Sequence, residues 1–183
     1  MLERLFAFLL ILAFSPIFLL IFLLIYIDDG SPVFFKQKRV GINYSFFTMY
    51  KFRTMKKNTP DVATHLLENP DQYLLKVGKY LRKLSLDELP NLINIAKGEM
   101  GFVGPRPALY NQDDLMELRI AAGVDDLLPG LTGWAQINGR DEISLVQKVA
   151  LEKEYKERKS FKFDLEILFR TFFAAFFSKD VKH

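Results

Sequence analysis

The chain has 183 residues and a net charge of +3; half of the residues are hydrophobic and 26% are charged. This length suits one domain, the balance excludes a disordered or fibrous protein, and the charge is too small to indicate nucleic acid as a partner. The absence of cysteine excludes disulfides and thiolate chemistry. Phenylalanine is concentrated at the ends: ten of 18 lie in the first 52 residues and seven between residues 161 and 177.

The N-terminal segment predicts a membrane anchor. Residues 5–27 form a run of 23 residues without a charge, which is long enough for a helix that crosses the bilayer core. Pro16 has no N–H for the carbonyl of Leu12, so the helix should kink here, with the Ser15 hydroxyl available to a freed backbone group. Each half is roughly 15 Å long, so a re-entrant hairpin competes with a single kinked span, which the physics of the residues favours.

A basic block follows the anchor. Residues 30–60 contain seven basic residues and no acid, a composition that suits phosphates or anionic headgroups, with a solvated surface as the alternative. The basic residues nearest the anchor predict a cytoplasmic location for the body of the chain. Within the block, residues 33–54 alternate short apolar pieces with turn signals and predict a β-hairpin.

Helices and loops alternate over the rest of the chain. Helices are predicted over residues 71–84, 86–96, 108–122 and 143–158, a loop with a short helix over residues 58–70, and loops over residues 98–107 and 129–140. Residues 161–177 predict a strongly apolar helix with Lys162, Glu166 and Arg170 on one face. Such a helix belongs either to the core or to a membrane interface, and the N-terminal anchor favours the interface.

Residues 85–90 are the most informative part of the sequence. Ser85 and Glu88 match a capping box, in which Pro90 would lose a backbone hydrogen bond. With Asp87 as the N-cap, Pro90 instead falls in the first turn, where N–H groups have no helical partner. The adjacent carboxylates of Asp87 and Glu88 can supply a nucleophile or ligands for Mg²⁺, and simple helix capping is the competing interpretation.

Arginines near this turn favour phosphate chemistry. Arg82 lies one turn before the acidic pair, and Arg106 stands between two prolines that hold it on a stiff segment. A guanidinium fixed in this way suits bidentate capture of phosphate, with a rigid surface turn as the alternative. Arg140 adds a cation in the later loop, whereas the single tryptophan, Trp134, is expected in the core.

Five ordered motifs resemble the bacterial sugar transferases, which are monotopic phosphoglycosyl transferases. They are the Ser15-Pro16 pair in the apolar N-terminus and residues 50–55, 84–90, 98–107 and 129–140. The resemblance covers almost the whole chain, and the length matches the small, PglC-like members. Leu128 departs from the pattern because many members carry arginine there, so a phosphate or nucleotide contact is expected to be missing or rerouted.

The resemblance implies a two-step reaction. Asp87 attacks the β-phosphate of a UDP-sugar bound with Mg²⁺, releases UMP and holds the phosphosugar, which undecaprenyl phosphate then accepts. Glu88 assists with the metal or with proton handling, so Asp87 and Glu88 are the expected Mg²⁺ ligands. The expected substrate-binding residues are Lys51, Arg53, Arg82, Arg106 and Arg140.

The resemblance also implies an α+β fold that is mostly helical, with a small β-hairpin and amphipathic interfacial helices. It favours the re-entrant, helix-break-helix anchor over residues 1–29, broken at Ser15 and Pro16. Residues 30–183 would then form a catalytic domain on the cytoplasmic face of the bacterial inner membrane. Membrane lipid and downstream glycosyltransferases are further expected partners, in the first membrane step of glycoconjugate synthesis.

Two questions stay open at this point. The small-member resemblance suggests a HexNAc or modified amino sugar as the donor sugar, with plain hexoses as rivals. The alternative function is a non-catalytic, membrane-anchored scaffold whose basic block binds anionic lipid or a partner enzyme.

Overall fold

The computed structural model describes residues 1–59, 69–139 and 143–177, with side chains up to residue 174. Helices dominate this part of the chain. The α-helices are α1 (Leu2–Ala13), α2 (Ser15–Asp29), α3 (Gly78–Lys83), α4 (Asn91–Lys97), α5 (Asp113–Ala122), α6 (Trp134–Ile137), α7 (Leu145–Arg158) and α8 (Phe161–Phe177). The strands are β1 (Phe34–Val40), β2 (Phe46–Phe52), β3 (Gly101–Val103) and β4 (Gly130–Thr132).

The predicted break in the N-terminal helix is confirmed. Helices α1 and α2 meet at an angle of 61°, and the Ser15 hydroxyl donates to the Leu12 carbonyl at 2.8 Å. This is the carbonyl that Pro16 leaves without its helical N–H partner. Within the described residues, no single helix is long and apolar enough to cross a membrane, although α1 and α2 together meet that test as a bent pair.

Each N-terminal helix packs one face against the rest of the chain. On α1, Ala7 is fully buried in a cluster with Leu92 and Ile95 of α4. On α2, Ile21 and Ile25 are buried in a second cluster with residues of the hairpin and of α3. The opposite faces carry large hydrophobic side chains that are more than a third exposed, such as Leu5, Phe8, Leu9, Leu12, Leu19, Leu20, Leu23 and Leu24.

The predicted β-hairpin is also confirmed. Strands β1 and β2 pair antiparallel from Phe34 opposite Phe52 to Val40 opposite Phe46, around a short 3-10 turn at Ile42–Tyr44. Asn43 adopts a left-handed conformation in that turn, with φ of 50°. Asparagine tolerates this conformation better than most residues, so the turn signal in the sequence has a direct physical basis.

Two predicted helices are shorter than expected because long-range pairing takes their first residues. The helix predicted over residues 71–84 is reduced in its first half to a 3-10 turn, Pro70–Tyr73, after which Leu74 pairs with Met55 and the Leu75 N–H donates to the Thr54 carbonyl. The helix predicted over residues 108–122 begins only at Asp113, because the Ala108 carbonyl accepts the Val40 N–H. In both places an extended segment bonds to the hairpin region instead of continuing a helix.

Both loops that the sequence predicts around the glycine-proline motifs contain regular structure. Strands β3 and β4 pair in parallel, with Gly101 opposite Gly130 and Val103 opposite Thr132, and α6 follows β4 directly. The prediction of irregular loops over residues 98–107 and 129–140 is therefore wrong in these places. The loop predicted over residues 58–70 lies largely outside the described residues.

The last two helices agree with their predictions. Helix α7 begins after a Ser144 capping box, and α8 has the predicted bounds. One face of α8 belongs to the core, where Phe163 and Ile167 are buried with Trp134. The other face exposes apolar side chains, namely Leu165, Phe169, Phe172 and Phe173. The core interpretation is therefore confirmed for one face of α8, and the membrane interface stays a prediction for the other.

Candidate active site

The acidic pair lies in a tight turn directly before α4. Asp87 and Glu88 belong to a 3-10 turn, Leu86–Glu88, and Pro90 is the N-cap of α4. Ser85, in a left-handed conformation, makes no side-chain cap bond, and Asp87 is not the cap of α4. Both capping arrangements predicted from the sequence are wrong, and this leaves the two carboxylates available for other contacts.

Glu88 lines an open cleft on the surface of the chain. The cleft lies between the hairpin, the acidic turn, α4 and the β3–β4 pair. Its polar lining is Arg39, Lys51, Glu88, Asn91 and Arg106, and its apolar lining includes Met49, Met100, Pro107 and Leu131. Two predicted substrate-binding residues therefore meet one predicted catalytic residue in the same space.

Lys51 and Arg106 approach the same oxygen of Glu88. The Lys51 Nζ lies 2.5 Å from Glu88 Oε1, and the Arg106 Nη1 lies 4.0 Å from it. Lys51 comes from β2 and its side chain is mostly buried, whereas the Arg106 side chain is 42% exposed. Arg106 therefore combines a fixed position with access from solvent, as an anion-binding residue requires.

Asp87 lies at the edge of this cation cluster. Burial, together with the charge of Glu88, raises the pKa of Asp87 from 3.8 to about 6, while Lys51 and Arg82 act in the opposite direction. The Arg82 Nε donates to the Thr54 hydroxyl at 2.9 Å, which fixes that arginine beside the turn. Burial makes the ionised carboxylate less solvated than in water, and it remains the major form at neutral pH.

A buried ion pair contacts the backbone of the segment that carries Arg106. Arg119 of α5 and Glu152 of α7 form two hydrogen bonds, of 2.8 and 2.5 Å. The same guanidinium donates to the Arg106 carbonyl at 3.0 Å. Gly104 fixes the segment from the other side, since a Cβ there would lie 2.2 Å from the Leu128 carbonyl oxygen. The backbone of Arg106 is therefore fixed, and its side chain reaches the cleft.

The sequence reasoning missed Arg39 as a site residue. Its Nη1 donates to the Pro107 carbonyl at 2.9 Å and its Nη2 to the Gln37 side chain at 2.5 Å. Burial and the nearby Arg106 lower the pKa of Arg39 to about 10. The available signal was the strand alternation: once the hairpin register is set, Arg39 and Lys51 fall on the same face.

Two other predicted residues lie elsewhere. Arg53 is buried at the junction of α2 and the hairpin, where it pairs with Asp29 and donates to the carbonyls of Pro32 and Gly30. It does not line the cleft, and these contacts fit a structural role in seating α2. Arg140 lies outside the described residues.

Trp134 occupies the core, as expected. Its indole is buried and donates to Glu154 at 2.9 Å.

The described residues contain no cluster of three or more His, Asp or Glu side chains that could bind a metal ion. Asp87 and Glu88 alone would supply only part of a Mg²⁺ coordination shell, so the expectation that they bind Mg²⁺ stays a prediction.

Comparison with known proteins places these features in a family. The sequence model of the family described as bacterial sugar transferase matches residues 1–178. The exopolysaccharide production protein ExoY of Rhizobium meliloti is 42% identical over 178 residues, covering 88% of this chain and 77% of its own length.

Two longer relatives carry names that state a reaction. The UDP-glucose:undecaprenyl-phosphate glucose-1-phosphate transferase of Escherichia coli is 38% identical, covering 93% of this chain and 38% of its own length. The undecaprenyl-phosphate galactose phosphotransferase of Salmonella typhimurium is 35% identical, covering 78% of this chain and 33% of its own length. The present chain therefore spans about a third of the length of each of these two proteins.

Proposed function

Because the chain belongs to the bacterial sugar transferase family, we propose that it transfers a phosphosugar from a UDP-sugar to undecaprenyl phosphate and releases UMP. The relatives named for transfer to undecaprenyl phosphate support this reaction class. The observation that carries the proposal is the acidic turn beside a cation-lined cleft, where Lys51 and Arg106 surround Glu88. A scaffold that only bound anionic lipid would have no use for a half-buried pair of carboxylates at that position.

In the first step, Asp87 is the nucleophile. One oxygen of its carboxylate forms a bond to the β-phosphorus of the UDP-sugar while the bond from that phosphorus to the bridging oxygen breaks. The electron pair leaves with UMP, and the phosphosugar remains on Asp87 as an acyl phosphate. A pKa of about 6 leaves Asp87 mostly ionised at neutral pH, and the neighbouring cations stabilise the negative charge on the transferred group.

In the second step, an oxygen of undecaprenyl phosphate attacks the phosphorus of the phosphosugar on Asp87. The acyl phosphate bond breaks, its electron pair returns to the carboxylate, and the product is undecaprenyl-diphospho-sugar. Two sequential displacements divide one difficult transfer into two easier ones. Glu88, held by Lys51 at 2.5 Å, is placed to assist with proton handling next to the nucleophile.

Mg²⁺ is part of the proposal as a substrate-bound ion. Asp87 and Glu88 would hold it together with diphosphate oxygens, since hard cations prefer oxygen ligands and two carboxylates are present in the turn. When bound, it would neutralise part of the diphosphate charge. Lys51 and Arg106 supply the remaining positive charge from the chain itself.

The membrane location is proposed from the N-terminal helix pair. The bend of 61° between α1 and α2, together with the exposed apolar faces of both helices, supports a re-entrant anchor with both ends on the cytoplasmic side. The exposed apolar face of α8 supports a second contact with the same surface. Both contacts would keep the cleft at the level of lipid phosphates on the bacterial inner membrane.

The donor sugar is the open part of the proposal. The sequence resemblance suggests a HexNAc or modified amino sugar, whereas two relatives are named for glucose and galactose. A screen of UMP release with UDP-glucose, UDP-galactose, UDP-GlcNAc, UDP-GalNAc and a UDP-linked modified amino sugar, each with undecaprenyl phosphate, would identify the sugar. The expected result is repeated turnover that requires one of these donors together with the lipid phosphate, whereas without the lipid the release should stop at about one UMP per chain.

The aspartyl mechanism has a direct test with a matched control. Asp87→Asn should abolish UMP release in this screen, whereas Asp71→Asn, at an exposed carboxylate outside the cleft, should leave it intact. Without lipid phosphate, the wild-type chain should hold the phosphosugar on the peptide that contains Asp87, detectable by mass spectrometry. Turnover by Asp87→Asn would refute the nucleophile, and absence of UMP release with every donor would refute the proposed reaction.

A further inference from the structure

The cleft carries more positive than negative charge on its lining. Within the described part of the chain, the cleft is lined by three cations, Arg39, Lys51 and Arg106, and by one carboxylate, Glu88. Lys51 makes the short contact with that carboxylate, at 2.5 Å, and Arg106 is 4.0 Å away. Arg39 makes its two direct side-chain bonds to Gln37 and to the Pro107 carbonyl, neither of which is charged.

Arg39 also retains a donor without an acceptor. Its Nε is buried and has no hydrogen-bond partner among the described residues. Buried N–H groups on a charged side chain are almost always paired in native proteins, so the charge of Arg39 is incompletely compensated by the hydrogen bonds of its side chain. Burial and the charge of Arg106 disfavour the charged form of Arg39 and Glu88 favours it, so a further anion in the cleft would stabilise the guanidinium.

The guanidinium is held in place before any ligand binds. The Nη1 bond to Pro107 and the Nη2 bond to Gln37 fix the plane of the group. The backbone of Arg39 pairs with Leu109, which follows the segment of Arg106, so the two arginines belong to connected structure. A fixed planar group of this kind suits phosphate oxygens better than a mobile ammonium does.

We propose that Arg39 is a phosphate-binding residue of this cleft, in which its guanidinium and that of Arg106 hold one phosphoryl group. The inference rests on the proposed function for the identity of that group. It is either the diphosphate of the UDP-sugar or the phosphate of the polyprenyl acceptor, and both offer the same oxygen acceptors.

The test measures binding without turnover. Purified full-length chain in nanodiscs would be titrated calorimetrically with UDP, with UMP and with a short-chain polyprenyl phosphate. Arg39→Lys keeps the charge and removes the planar donor set, and Arg39→Gln removes both. Lys38→Gln is the control, since Lys38 is an exposed neighbour whose side chain lies over Phe46 at 4.1 Å and does not line the cleft.

Arg39→Lys should weaken binding of the phosphate ligand by about tenfold, and Arg39→Gln should weaken it further, as expected for loss of a charge-assisted bond. Lys38→Gln should stay within about twofold of wild type. Loss for UDP and UMP would assign the phosphoryl group to the donor, and loss for the polyprenyl phosphate alone would assign it to the acceptor. Unchanged affinity for all three ligands in folded Arg39→Lys would overturn the inference.

A second measurement covers variants that do not fold. In the wild-type chain labelled with ¹⁵N-arginine, the Nε–H resonance of Arg39 should shift on saturation with the ligand that binds. No shift under saturation would also overturn the inference. If Arg39→Lys loses affinity for UDP and wild type releases no UMP, the role of Arg39 is upheld and the proposed reaction is refuted. If wild type releases UMP and Arg39→Lys binds all three ligands as wild type does, the reaction is upheld and the role of Arg39 is refuted.

Discussion

Asparagine in place of Asp87 would remove a carboxylate whose ionised form the fold disfavours. Burial and the charge of Glu88 raise the pKa of Asp87 from 3.8 to about 6. A group whose pKa rises on folding holds its proton more tightly in the folded chain, so its ionised form lowers stability at higher pH. A shift of about two pKa units corresponds to about 3 kcal/mol, at about 1.4 kcal/mol for each unit. Asp87→Asn should therefore be more stable than wild type by up to about this amount at neutral pH.

The pH window follows from the two pKa values. Below about pH 4 the carboxyl is protonated in the unfolded and the folded chain, so the variant and wild type should be equally stable. Between about pH 4 and pH 6 the unfolded chain loses its proton first, and the stability of wild type falls relative to the variant. Above about pH 6 the full difference should be present.

Thermal unfolding of both proteins in the same nanodiscs, from about pH 4 to about pH 8, would measure this difference. A gain of about 3 kcal/mol corresponds to a rise in melting temperature of roughly 6 to 12 °C for a chain of this size. Asp71→Asn, at an exposed position, should show no pH-dependent gain. Equal melting temperatures of wild type and Asp87→Asn at about pH 8, or a difference independent of pH, would refute the reasoning.

The rate of UMP release by wild type should fall about tenfold from about pH 7 to about pH 5, because the ionised fraction of Asp87 falls from about 90% to about 10%.

Three further changes should act through the scaffold. Arg119→Met leaves Glu152 buried without its partner and should lower the free energy of unfolding by about 3 to 5 kcal/mol, measured by chemical denaturation. The double variant with Arg119→Met and Glu152→Leu should recover much of that loss. Gly104→Ala forces a Cβ to within 2.2 Å of the Leu128 carbonyl and should weaken UDP binding along with stability, and a wild-type affinity would contradict this. Ala7→Leu overfills the contact between α1 and α4 and should lower the melting temperature. Ala7→Gly is the control, because a smaller residue cannot crowd this contact.

Local signals predicted the parts of the fold that local chemistry determines. The break at Ser15 and Pro16 follows from a missing N–H, and the bounds of α8 follow from a continuous apolar pattern. The hairpin follows from its turn residues. Where the chain forms long-range pairs, as Leu74 does with Met55, a helical pattern gave the wrong local structure. No local property of the sequence indicates which distant strand will compete for a backbone N–H.

The sequence predicted several residues of the candidate site, but it did not predict the full set of residues that line the cleft. Asp87, Glu88 and Arg106 stood out because adjacent acids and a Pro-flanked arginine are unusual arrangements, and the structure brings Glu88 and Arg106 to one cleft. Arg39 did not stand out within the basic block, because its burial depends on contact with Pro107. Arg53 has a residue type that fits phosphate binding, yet its donors are directed to Asp29 and to backbone carbonyls. The prediction that it binds substrate has no support from its contacts.

The packing of α1 on α4 makes the N-terminal helices structural parts of the body rather than a detachable tether. Ala7 is fully buried against α4, and the guanidinium of Arg4 occupies the space where a side chain at Gly98 would lie. Deleting residues 1–29 would uncover Ile95, Met100 and Phe52, which are almost completely buried in the whole chain. A water-soluble catalytic fragment should therefore not be obtainable by truncation, and exchanging this segment for an unrelated membrane helix would remove one wall of the hydrophobic core.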